Sequence, residues 1–415
     1  MVKKANSNFN FSIKKIQKIV NINYGFKCSI KKLDGEKDYN YRLQTKKNKI
    51  YYLKIYPKDT NVNFVIFQTK ILNHLSKNHG LKTPKNILSE DGSSYSSFKD
   101  NKGLIRYIRI NSWIEGRPWS CVRSINNHLR FELGKEAALI TKKLENFKSD
   151  YNDEEMQWDI SSSLWTTKYL KYIKGSSEKK IIKYFQIEFK KRLLQFKKLR
   201  KSFIHNDVND NNILVSNNLY SPEINGIVDF GDSINTQIIN DVAVACVYAM
   251  MRSENPLEAG INVAKGYHSI FKLKEEEIEF LYLTIAMRLV ISITKSSINK
   301  IQNKDNKYLL ISEVEAIKLI KKWHRVNEEF ATYSFRDACG YSAHPNEDEF
   351  NKWSKNISFK IADILPSIDK KNFYNIDLSV SSNWLENKLI DRNIDLFENK
   401  MNLIKKLRKI GRAHV

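Results

Sequence analysis

The sequence predicts an α+β chain built as two lobes, a small antiparallel strand-rich N-terminal lobe and a larger helical C-terminal lobe. Three observations lead there. Runs of β-branched and aromatic residues, separated by turn residues, crowd the first quarter of the chain. From Asn126 onward apolar residues recur mainly at helical spacing. Inside the helical part lies a small island of strand-like runs around a dense polar loop, "FIHNDVNDNNILV", residues 203–215.

The elements follow in order. Residues 28–33, 39–45 and 50–56 read as strands, divided by Asp34-Gly35 and by Lys46-Lys47-Asn48. Residues 62–75 carry Val62, Val65, Ile66, Leu72 and Leu75, a helical stripe. A strand at 104–110 runs into "NSWIEGRPW" (111–119), where Gly116 and Pro118 mark a turn. Helices are expected at 129–147, 179–201, 275–297 and 311–330, with the strand island at 203–215 and 224–233 between them. The expected division is an N-terminal lobe at 12–110, a connector at 111–119, a helical lobe at 120–330, and a further segment at 331–409.

Composition narrows the class. A chain of 415 residues with 41% hydrophobic and 12% aromatic residues has the material for folded lobes and does not read as disordered. No apolar run approaches the roughly 18 residues that read as a membrane span, and the N-terminus lacks an apolar signal core. A cytoplasmic protein without membrane partners is expected. The four cysteines stand far apart without a CxxC pair, which predicts reduced thiols. The net charge of +24 suggests a nucleic-acid footprint. Its cations are mostly Lys, spread along the whole chain beside abundant Asn and Ile, and that pattern favours compositional bias and no nucleic-acid partner.

The polar loop has a chemical reading. His205-x-Asp207 is followed at the H-x-D-x-x-x-x-N interval by Asn212, and Asp229-Phe230-Gly231 comes after a hairpin. This is a phosphoryl-transfer arrangement of kinases. An acceptor hydroxyl needs a carboxylate to orient it and take its proton, the role offered to Asp207. The triphosphate of ATP needs Mg²⁺, a hard cation that takes oxygen ligands, and Asn212 and Asp229 supply them from the two arms of the hairpin. The alternative for either motif alone is an Asx-rich turn that caps its own backbone.

At these residues the chain resembles the aminoglycoside phosphotransferase superfamily, which has the bilobal protein-kinase-like fold. "IHNDVNDNNILV" and "GIVDFGDS" carry the likeness. It is most similar to the hydroxylysine kinase-like branch, through "GEKDYNYRL", "YYLKIY", "QWDI", "NPLEAGINVAKGYH" and "RLVISI", over roughly residues 12–330. The resemblance implies ATP-dependent transfer to a small molecule. It gives Lys54 the grip on the α- and β-phosphates, Gly35 the loop above them, and Trp113 and Ile114 the adenine-binding connector. His205 is expected to organise the loop, Asp232 to bond backbone or help at the metal, and Asp241 to cap a helix. The helix after Lys54 has no acid, so Gln68 is the candidate to bond its ammonium, with Asp59 or a remote group as alternatives.

The expected function is an ATP-dependent small-molecule kinase acting on a hydroxyl of an amino alcohol or a hydroxy amino acid, hydroxylysine-like. The alternative is a catalytically weak kinase-fold binding or regulatory module, suggested by the missing helix acid. Glu254 and Glu258 are candidates for the substrate ammonium, or else solvated. "FRDACGY" (335–341) and "NIDLSVSS" (375–382) resemble the connector of fusion proteins that join such a kinase to a pyridoxal-phosphate aminotransferase-like domain. That resemblance implies a covalent downstream partner. The last six residues, 410–415, break the Lys/Asn/Ile style of the chain and are expected to be a sequencing artefact.

Overall fold

The structure is a computed structural model, which describes residues 11–345 except 36–37, 78–79, 152–155 and 303–307. Residues 375–382 and 410–415, and the expectations attached to them, lie outside the described residues. A first compact unit ends at Trp323 and a second begins at His324.

The first unit opens with α1 (Ile13–Tyr24), a helix absent from the sequence reading. Its signals are local: Ser12 accepts from the Lys15 N–H, and Gly25 at φ 69° closes the helix. The antiparallel sheet follows, with β1 (Cys28–Leu33), β2 (Tyr39–Thr45) and β3 (Ile50–Ile55) joined in sequence. After α2 (Val62–Ser76) come β4 (Asn86–Ile87), β5 (Ser96–Lys99) and β6 (Ile105–Ser112), and β6 pairs with β3, β4 and β5. The sequence foresaw β6 and missed β4 and β5, of two and four residues, too short to show an alternating pattern.

Register decides what the sheet presents. Leu53, Ile55, Ile108 and Ile110 join Tyr41 and Leu43 in one core with Ile16, Ile19 and Val20 of α1. Strand side chains alternate, so Lys54 and its cross-strand partner Arg109 point to the opposite face. On that face Lys54 meets Asp229, next to the polar loop.

The helical part begins with β7 (Arg117–Pro118), α3 (Asn127–Leu144), a 3₁₀ segment (Ile160–Tyr172) and α4 (Ser176–Phe196). Two small antiparallel ladders come next, β8 (Lys201–Ile204) with β11 (Ile234–Gln237), and β9 (Ile213–Val215) with β10 (Ile224–Ile227). Then follow α5 (Ile239–Met250), α6 (Pro256–Ile270), α7 (Glu275–Ile278), α8 (Leu281–Gln302) and α9 (Tyr308–Trp323). Every residue of α5 is buried, and it packs among α3, α6 and α8, while β8 and β10 of the strand island lie against α3. The helix expected at 179–201 stops at Phe196 and yields to β8. The one expected at 311–330 ends at Trp323, and α10 (Glu328–Ala338) starts afresh in the second unit after an Asn327 cap.

Candidate active site

The β9–β10 hairpin holds the polar loop at one end. Asn212 precedes β9 and Asp229 follows β10, and the Val228 N–H donates to the Asn212 carbonyl at 2.9 Å, locking the two arms together. His205, fully buried, sits beneath. The Asp207 N–H donates to His205 Nδ1 at 3.2 Å, so Nε2 carries the proton and donates to the Val228 carbonyl at 3.0 Å. The ring also lies against Phe230, 4.5 Å between centres.

Below the loop, Asp241 of α5 accepts from the Asn206 N–H at 2.9 Å and from the Thr141 hydroxyl at 3.0 Å. Asp241 is therefore a floor for the loop and not a helix cap, since the cap position is Ile238. Burial pushes its carboxyl above the usual range. Asn206, in the left-handed region at φ 64°, is held by that contact and by its amide on the Asp232 carbonyl at 3.2 Å. The structure thus places Asp232 beside the loop through its backbone.

Both oxygens of the Asp207 carboxylate accept hydrogen bonds. Oδ2 accepts from the Asn209 and Asn212 amides, each at 2.8 Å, and Oδ1 from Arg288 Nη2 at 2.8 Å. On the other arm, Asp229 adopts φ 59°, a strained value for a residue with a Cβ, and its Oδ1 accepts from the Gly231 N–H at 3.1 Å. Lys54 reaches it across 175 residues of sequence, Nζ to Oδ1 at 3.1 Å. Burial pushes the Asp229 carboxyl up, but Lys54 and Arg109 outweigh it and hold the group below the usual carboxylate range.

Lys54 is 2% exposed. Its second partner is Asp38, Oδ2 at 2.9 Å, from the turn that leads into β2. Burial lowers the ammonium's pKa, and the two carboxylates reverse this and raise it well above the ordinary lysine value. Here the expectation for Gln68 fails: its Oε1 accepts from the Tyr56 hydroxyl at 2.7 Å, and the acid missing from the helix is supplied by a turn. Sequence reasoning missed Asp38 because it searched the helix; the residue stands in the quoted "GEKDYNYRL" segment itself. It also missed Arg109, which has no local signature, and the place of Arg288, which opens the "RLVISI" segment. Arg109 is 2% exposed, beside Lys54, with Nε and Nη1 unpartnered.

Gly35 stands at the mouth of the same turn, where a Cβ would come within 2.5 Å of the Asn40 amide and 2.7 Å of the Asp38 carbonyl. In the connector, the Trp113 ring lies 5.6 Å from the Arg42 guanidinium. Ile114 packs on Gly226 of β10, where a Cβ would be 2.9 Å from its Cδ1. Glu258 is spent elsewhere, accepting from the Asn127 amide and capping-side Asn255 at the start of α6.

The donor set suits a hard divalent cation. The Asn212 amide nitrogen donates to the Asp207 carbonyl and carboxylate, so its side-chain oxygen is not used in those bonds. Two oxygen ligands are what Mg²⁺ ordinarily takes from a protein when phosphates and water complete its shell.

The known proteins that this chain resembles are phosphotransferases. The model of the "Phosphotransferase enzyme family" matches residues 29–276. Hydroxylysine kinase of Mus musculus is 25% identical over 313 residues, 70% of this chain and 83% of that protein. Hydroxylysine kinase of Danio rerio is 25% identical over 346 residues, 79% of this chain and 96% of the relative. Among solved structures, an amicoumacin kinase in complex with AMP-PNP and Ca²⁺ superposes with a TM-score of 0.57 at 16% identity, covering 75% of this chain and 94% of that one. A microcompartment-associated aminopropanol kinase gives 0.57 at 14% identity, covering 80% and 100%. These two share the fold.

Proposed function

Because the chain belongs to the phosphotransferase enzyme family, we propose that it transfers the γ-phosphoryl group of ATP to the hydroxyl of a small amine-bearing alcohol, either a hydroxylated amino acid of the hydroxylysine type or an amino alcohol. The carrying observation is the continuous chain of contacts Lys54–Asp229–Val228–Asn212–Asp207, which unites sheet, hairpin arms and loop in one site. The names of the curated relatives support the acceptor class.

In this reading Asp207 accepts the hydrogen bond of the acceptor hydroxyl and takes its proton. The hydroxyl oxygen forms a bond to the γ-phosphorus as the bond to the β-phosphate oxygen breaks, and ADP leaves with that electron pair. Lys54 holds the α- and β-phosphates, and Trp113 and Ile114 lie along the adenine through the connector backbone. Asn212 and Asp229 would hold Mg²⁺, which would supply neutralisation of charge on the phosphate oxygens. His205 keeps the loop in register. Among the described residues no helix is long and apolar enough to cross a membrane, and the proposal places the enzyme in the cytoplasm. An aminotransferase-like domain fused downstream belongs to the same proposal; reading the gene beyond the codon for Leu407 tests it.

A screen of amino alcohols and hydroxy amino acids for ADP release by the purified protein tests the reaction. Turnover with 5-hydroxylysine or ethanolamine is the expected result. Nucleotide binding without turnover on any acceptor favours the binding-module alternative, and turnover with aminoglycosides or choline alone overturns the acceptor class.

A further inference from the structure

We infer that Arg288 is a positioning residue that selects which oxygen of Asp207 receives the acceptor hydroxyl. The inference rests on the kinase reading above. A carboxylate oxygen offers about two lone-pair sites. Both sites of Oδ2 are taken by the Asn209 and Asn212 amides at 2.8 Å. Oδ1 has one donor, Arg288 Nη2 at 2.8 Å, and so keeps one site for a hydroxyl. Oδ1 is the reacting oxygen, and the guanidinium fixes where it points.

Arg288 is poorly explained as a stabilising group. It is 1% exposed on α8, its ion pair is with Asp207 while Asp232 acts on it from farther away, and its Nε has no partner. A buried ion pair with an unpartnered N–H is often no more stable than a well-packed apolar side chain of similar size. Its surroundings hold orientation instead. The guanidinium lies 4.5 Å from the Trp158 ring centre, and its two terminal nitrogens meet the Trp158 carbonyl at 3.5 Å and the Tyr248 hydroxyl at 3.3 Å. A planar fork stacked on an indole has a fixed direction, which a lysine ammonium cannot reproduce. The "QWDI" and "RLVISI" segments of the sequence, 130 residues apart at Trp158 and Arg288, thereby meet at the catalytic loop.

The test uses the full chain and an acceptor that the wild type phosphorylates. Arg288→Met should lower kcat by about 10–10²-fold, the scale of a misplaced reacting group, with KM for ATP changed less than about twofold. Arg288→Lys should fall between wild type and Arg288→Met. In an Asp207→Asn background, Arg288→Met should cost less than about twofold more, because it acts through the carboxylate. Retained kcat in Arg288→Met, or losses that multiply in the double variant, would overturn the inference. A wild type that phosphorylates no acceptor counts against the kinase reading alone. The pair is then judged by thermal unfolding: Asp207→Ala should lower Tm in the wild type, by stranding the buried cation, and by less than half as much in Arg288→Met. Equal shifts would refute the coupling.

Discussion

Asp229 combines a strained backbone, a hydrogen bond to the Gly231 N–H and an ion pair to Lys54 in one residue. Its position is over-determined, which suits the proposed role of meeting a metal without rearranging. Replacing it with Ala removes the charged ligand and strands Lys54 with Asp38. Titrating Mg²⁺ against turnover in Asp229→Ala should give a much higher requirement or no activity; an unchanged metal dependence would remove Asp229 from that role. Asp207→Asn keeps the nucleotide contacts and loses the base. Turnover should fall by about 10²–10⁴-fold while nucleotide affinity, read by calorimetry, holds. These residues were legible because His205, Asp207, Asn212 and Asp229 lie on one loop and hairpin, where spacing and geometry are nearly the same thing. The partner of Lys54 was not, because a turn before the strand and a helix after it are equally able to bring a carboxylate to one ammonium.

Helices α3 and α6 touch at the level of backbone. A Cβ on Gly134 would lie 2.0 Å from the Val263 carbonyl oxygen, and one on Gly266 2.0 Å from the Phe131 carbonyl oxygen. The loop's floor depends on this crossing, since Thr141 of α3 bonds Asp241. Gly266→Ala should therefore destabilise the protein by about 1–3 kcal/mol, the ordinary cost of overpacking, in chemical denaturation; no loss of stability would mean the helices can part freely. At the end of α6, His268 is 6% exposed and its Nδ1 accepts from the Leu273 N–H at 3.2 Å. Burial, with a contribution from Lys272, pulls its pKa down to about 4 from 6.5. The unfolded chain then takes up a proton first as pH falls, so the stability that His268 contributes is intact above about 6.5 and is lost on the way to about 4. The loss should reach about 3 kcal/mol. His268→Asn keeps an acceptor for Leu273 and should flatten that part of the stability profile.

At the scale of the molecule, 70 Lys and Arg face 46 Asp and Glu; of the buried cations at the site, Lys54 and Arg288 each meet a carboxylate, and Arg109 keeps two nitrogens unpartnered. The first compact unit ends at Trp323, and everything named in the site lies within it. A chain of residues 1–327 should fold cooperatively and keep acceptor-dependent ADP release within a few-fold of the full chain. Loss of a cooperative thermal transition in that fragment would contradict it.

The sequence by itself determined the first three strands, β6, the hairpin that carries the polar loop and the family likeness, because turn residues, apolar periodicity and the H-x-D-x-x-x-x-N and D-F-G spacings are all local. Even there, two- and four-residue strands and the α4-to-β8 switch escaped, since short elements carry too few side chains to show a period. Only the tertiary structure decided that Asp38 rather than Gln68 meets Lys54, that Asp241 supports the loop instead of capping a helix, and that Arg288 reaches Asp207 across 81 residues. Those choices are made by which faces the sheet register and the buried helix α5 bring together, and a side chain's partner across such a distance leaves no periodic trace in the chain that carries it.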